Sequence, residues 1–120
     1  MPRLKMDHVK ASELITEIET SLNLIAKASR RGLFSHTAGS KAKSVKIILG
    51  IRDWHLSTKI TLDAIFDGFN DFNNIIDISR ENIFNEEKLN NYLMATTLVV
   101  RDAKTLITTL ENIKKKTSGL

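Results

Sequence analysis

NEEKLNNYLMATTLVVRDAKTLITTLENIKKK, residues 85–116, is the stretch on which the fold turns. Leu89, Leu93, Thr96, Val100, Ala103, Ile107 and Leu110 recur at alternating steps of four and three. That spacing keeps side chains on one side of an α-helix and no sheet reproduces it. A second row, Tyr92, Val99, Leu106 and Ile113, repeats every seven residues and widens the apolar face. The ends carry their own signals. Asn85 is a natural N-cap, Glu86 and Glu87 stand where a helix dipole favours carboxylates, and Lys114, Lys115 and Lys116 stand where it favours cations. A helix this long with so broad an apolar face must bury it against other helices.

Working outward, the partners are legible. Ala11, Leu14, Ile15, Ile18, Leu22 and Ile25 form the stripe of a first helix expected from Asp7 to Arg31, with Gly32 suited to ending it. A connector over residues 33–39 leads to a second helix starting near Ser40, whose buried side is expected to be supplied by Val45, Ile48, Leu49, Ile51 and Trp54 or Leu56. That helix either stops near Trp54, with Ser57 or Thr58 capping a new one, or continues through Ile60, Leu62, Ile65 and Phe66. Gly68 and the asparagines 70, 73 and 74 lower helix propensity, whereas Phe69, Phe72, Ile75 and Ile76 keep a helical spacing. A turn is expected over residues 77–85. These elements predict an all-α chain, an antiparallel four-helix bundle, or three long helices if residues 40–76 form one helix. The chain reads as a single domain over residues 1–120, with residues 1–6 and 117–120 frayed.

Composition bounds the function. One proline, five glycines, 42% hydrophobic and 27% charged residues describe a globular chain rather than a disordered one. The absence of cysteine excludes disulfides, thiolate catalysis and sulfur-ligated zinc. The N-terminus lacks the apolar core of a secretory signal and no apolar run approaches a membrane span, so the expectation is a soluble, cytoplasmic protein with no membrane association.

The formal net charge of +4 conceals two blocks of opposite sign. Between Glu19 and Asp53 there is no acidic residue, but Lys27, Arg30, Arg31, Lys41, Lys43, Lys46 and Arg52 are present. From Asp63 to Glu87, Asp63, Asp67, Asp71, Asp77, Glu81, Glu86 and Glu87 oppose a single base, Arg80. Segregated charge points to a polyanion or to a complementary protein face. The expected nucleic-acid-binding residues are Lys27, Arg30, Arg31, His36, Ser40, Lys41, Lys43 and Lys46. Phe34, an aromatic in the connector, and Arg52 are the expected contacts to a protein partner. Gly39-Ser40-Lys41-Ala42-Lys43-Ser44 could hold a phosphate oxygen on free N–H groups at a helix start, or could simply cap that helix. It lacks the glycine pattern of a Walker loop.

The segment from Ile25 to Ile48, with Arg30-Arg31-Gly32-Leu33-Phe34-Ser35-His36 followed by Ala38, Lys41, Lys43 and Ser44, resembles the helical hairpin of a small basic ribosomal protein of the bacterial small subunit. That resemblance implies contact of Arg30, Arg31, His36, Lys41, Lys43 and Lys46 with an RNA or DNA backbone. It spans about a fifth of the chain, and the Phe-, Asp- and Asn-rich remainder departs from that family. Ser35-His36-Thr37-Ala38-Gly39-Ser40 is similar to the phosphorylated segment of histidine phosphotransfer domains, themselves four-helix bundles. Here Gly39 takes the place of that family's lysine and the next lysine is Lys41, which weakens the correspondence. Arg31 and His36 also match the short arginine–histidine spacing of helical ribonucleases of the HEPN type, although Gly32 beside the arginine opposes the helical placement that such a site needs.

Elsewhere the chemistry is sparse. His8, His36 and His55 are scattered, and no Glu-x-x-His pair suggests a di-iron site. Asp63, Asp67 and Asp71 at steps of four would line one helical face and offer three carboxylates, or simply a solvated acidic surface. Trp54, Phe66, Phe69 and Phe72 have spacings that suit a core better than a base-stacking platform. No catalytic residue, metal or cofactor is expected. The leading expectation is a non-enzymatic helical bundle that binds nucleic acid through its backbone. The alternatives are a protein–protein interaction module, such as an adaptor, an inhibitor or immunity-like protein, or an assembly subunit that could form a homo-oligomer, and more remotely a histidine phosphotransfer domain.

Overall fold

The computed structural model describes residues 2–32, 41–81 and 85–118. The chain is an all-α helical bundle. Its long helices are α1 (His8–Gly32), α2 (Lys41–Ile65) and α3 (Glu86–Ser118). Two short 3-10 helices, η1 (Asp71–Asn74) and η2 (Ile78–Arg80), lie between α2 and α3. Two-residue strands β1 (Arg3–Leu4) and β2 (Phe66–Asp67) pair antiparallel, Arg3 opposite Asp67 and Leu4 opposite Phe66.

α1 runs antiparallel to both of the other long helices and packs against each. At one end Lys5 N donates to Ile65 O at 2.8 Å; midway Trp54 Nε1 donates to Ile18 O at 3.2 Å. Against α3, His8 Nδ1 lies 3.1 Å from Glu111 Oε2, and Lys104 Nζ lies 3.4 Å from Glu19 Oε1. The returning segment 66–81 fills the space between α2 and α3. Phe72 packs edge-on against Trp54 and beside His55, and Trp54 meets Tyr92 edge-on.

On α1 and α3 the core is built from the rows legible in the sequence. On α2 Ile51 and Trp54 are buried as expected, but Val45, Leu49 and Leu56, expected on the buried side, are exposed, because the side that packs inward is the one carrying Ile51, Trp54, Thr58, Leu62 and Ile65. Ala11, Ile15, Ile18 and Leu22 of α1 meet Leu89, Leu93, Val100, Ala103 and Ile107 of α3, and Ile51, Trp54, Leu62 and Ile65 of α2. Trp54, Phe66, Phe69 and Phe72 are buried, as their spacing predicts. Each such side chain contributes about 1.5–3 kcal/mol of transfer free energy.

Boundaries differ from expectation in four places. Ser57 and Thr58 start no new helix; Thr58 is buried inside an unbroken α2. That helix ends at Ile65 rather than at residue 76, because the chain pairs with β1 and then turns at Gly68, whose φ of +83° suits glycine. Residues 3–5 are held rather than frayed, by the β1–β2 pairing, the Arg3–Asp67 ion pair at 3.0 Å and the Lys5–Ile65 bond. Thr117 and Ser118 belong to α3, so the predicted fraying of that end does not apply to them.

Candidate anion-binding cleft

α1 presents Leu22, Asn23, Ala26, Lys27 and Arg30 at steps that keep them on one side of the helix. α3 presents Asn90, Leu93, Met94, Thr97, Leu98 and Arg101 in the same way. Because the two helices run antiparallel, these rows close around an open cleft of about 640 Å³. Leu22 and Leu93 form a buried floor, while Lys27, Arg30 and Arg101 are exposed. Asn23, Asn90 and Thr97 add polar groups beside the cations. No ion pair among the described residues engages Lys27, Arg30 or Arg101. Three positive charges around a part-apolar trough with amide and hydroxyl neighbours can receive an anionic chain, its charge on the rim and its less polar parts on the floor.

Lys27 and Arg30 are thus brought together, with a third cation that sequence reading missed. Arg101 stands beside Asp102 in α3 and outside the basic block, so it looks locally balanced. Only the pairing of α3 with α1 turns it toward Lys27. Lys46 is elsewhere: it lines a smaller, apolar groove of about 300 Å³ between α1 and α2, with Leu24, Ile25, Ala28, Ile47 and Gly50. Lys27 and Arg30 on the one hand and Lys46 on the other therefore line two grooves on either side of α1, at the same end of the bundle. Arg52 is exposed on α2. Arg31 belongs to the last turn of α1, and Lys41 and Lys43 to the first turn of α2. Phe34, His36 and Ser40 lie outside the described residues, as does Gly39 of the motif that begins the second helix.

Three of the seven carboxylates of the acidic segment are held in ion pairs away from Lys27, Arg30 and Arg101, while Glu86 and Glu87 occupy the first turn of α3, one turn before Asn90 of the cleft. Asp67 pairs with Arg3, Asp77 with Arg80 and Glu81 with Lys88. Asp63, Asp67 and Asp71 do not share a helical face, since the helix ends at Ile65 and the chain turns before Asp71. Among the described residues no group of three metal-ligating side chains exists.

A second polar feature is internal. His55 Nδ1 and Tyr92 Oη lie 2.7 Å apart, both side chains buried and their rings stacked. Burial pushes the His55 pKa below its ordinary value; Asp77 pulls the other way, while Lys59 and Arg80 add to the depression. Burial likewise raises the Tyr92 phenol, with Asp77 adding to it. Both groups are neutral near pH 7 and satisfy each other, which makes them a structural pair joining α2 to α3.

No family model matches the chain, and neither the curated proteins nor the solved structures contain a match to it. Among the described residues no helix is long and apolar enough to cross a membrane.

Proposed function

We propose that this chain is a non-enzymatic, basic helical-bundle protein that binds the backbone of RNA or DNA, with Lys27, Arg30 and Arg101 contacting phosphates. The observation that carries the reading is their convergence on one cleft, free of ion pairs among the described residues. Asn23 and Asn90 supply neutral hydrogen-bond donors of the kind that fix a sugar–phosphate chain in register. Met94 and Leu98, both exposed on the rim, offer apolar contact to sugars or bases of a single strand. Recognition is of charge and shape, not of base sequence. Lys46 extends the positive field at the same end.

The test is a salt titration of binding to generic single-stranded RNA and to duplex DNA. Each phosphate contact contributes a log–log slope of about −0.7 to −0.9. A Lys27→Gln/Arg30→Gln/Arg101→Gln variant is expected to lose about two to three units of that slope while retaining its helical content. Absence of binding to either polymer at low ionic strength refutes the proposal. A second reading, a protein-interaction module, is favoured by an apolar stripe on the outer side of α2.

A further inference from the structure

α2 differs from its neighbours in being apolar on two sides. Its inner side buries Ile51, Trp54, Thr58, Leu62 and Ile65. On the outer side Val45, Leu49, Leu56 and Ile60 remain 53%, 48%, 42% and 68% exposed. At 100° per residue those four fall within about 60° of one another around the helix, directly away from the core. Four large apolar side chains in register along about 24 Å of helix form a seam rather than scattered surface residues.

We infer that this seam is covered by the same seam of a second copy, packed antiparallel about a two-fold axis near the Arg52–Asp53 bond. Three observations select that occupant. The spacing reads the same in both directions: Val45, three residues, Leu49, six residues, Leu56, three residues, Ile60. An antiparallel copy therefore sets Val45 beside Ile60 and Leu49 beside Leu56 across the interface, twice over, as an isologous contact requires. The charge along the helix is also polar in the complementary sense. Residues 41–52 carry Lys41, Lys43, Lys46 and Arg52 with no acid, whereas residues 53–63 carry Asp53 and Asp63 against Lys59. An antiparallel partner lays the basic half on the acidic half; a parallel one lays like on like. Finally, Arg52 and Asp53 are exposed at the middle of the seam and have no ion pair among the described residues, so the four charges of two copies meet with a net charge of zero. The contact is shorter than a standard interface, as suits a reversible association. It leaves the cleft between α1 and α3 open in both copies.

Sedimentation equilibrium on nuclease-treated full-length protein, over a concentration series at low and high salt, reads the association directly. A reversible dimer is expected, weaker at high salt. Leu49→Asp/Leu56→Asp is expected to weaken it by at least about a hundredfold with unchanged far-ultraviolet circular dichroism, because both side chains are exposed in the monomer. The chain has no cysteine, so orientation can be probed by single introduced thiols. Under oxidation a mixture of Val45→Cys and Ile60→Cys proteins is expected to form a disulfide-linked pair, and either alone is not. A monomer at every concentration, a dimer indifferent to Leu49→Asp/Leu56→Asp, or efficient self-linking of Val45→Cys alone would each overturn the inference.

Discussion

His55 and Tyr92 show what a single buried pair does to a bundle that is otherwise hydrophobic. The 2.7 Å bond satisfies two groups that would each cost about 1–3 kcal/mol if stranded in the core. It also makes stability depend on pH. Burial, reinforced by Lys59 and Arg80 and opposed by Asp77, depresses the folded-state pKa of His55 below the value of about 6.5 that it has in the unfolded chain. In the interval between those two values the unfolded state binds the extra proton, so stability is complete above about pH 6.5 and declines as the pH falls toward the folded-state pKa. Urea denaturation between pH 7 and pH 5 is expected to show this decline. In His55→Phe, which keeps the ring packing and removes the titration, the slope over that interval is expected to flatten. The sequence showed a histidine among apolar residues but not its partner, 37 positions away on another helix.

At the scale of the element, local signals governed the ends of helices. Asn85 Oδ1 accepts the Lys88 N–H at 2.8 Å, and Glu86 and Glu87 occupy the first turn of α3, as the spacing predicts. Asn85→Ala is expected to lower stability by about 1 kcal/mol in chemical denaturation, since the cap satisfies one of the four free N–H groups of that turn. Other boundaries needed the fold. Nothing in Ile60-Thr61-Leu62-Asp63-Ala64-Ile65-Phe66 compels a helix to stop, and Phe69 and Phe72 continue a helical spacing past it. The stop comes from Arg3 and Leu4 pairing with Phe66 and Asp67, and Gly68 then permits the turn. α2 itself looked like an ordinary amphipathic helix until Val45, Leu49, Leu56 and Ile60 were found facing away from the core.

For the whole molecule, the question is whether the positive charge acts as a site or as a net excess. Arg101 and Lys104 are close in sequence, but Arg101 lines the cleft and Lys104 pairs with Glu19 outside it. Arg101→Glu is expected to weaken binding to generic RNA by about tenfold or more at moderate salt, and Lys104→Glu by at most a factor of about two, as measured by fluorescence anisotropy. Equal losses would mean that net charge alone attracts the polymer. The sequence by itself determined the helical class, the long C-terminal helix with its cap and the core faces of α1 and α3, though not that of α2, because periodicity and end chemistry are local properties of the chain. It also displayed the segregation of charge. Which cations share a cleft was decided only by tertiary structure. The antiparallel pairing of α1 with α3 joins Arg101 to Lys27 and Arg30, and the packing of α2 on the other side of α1 sends Lys46 to a different groove. The physical reason is that a helix's own period fixes only the angles between its side chains; which of those directions meet is set by how the helices bury their apolar faces together.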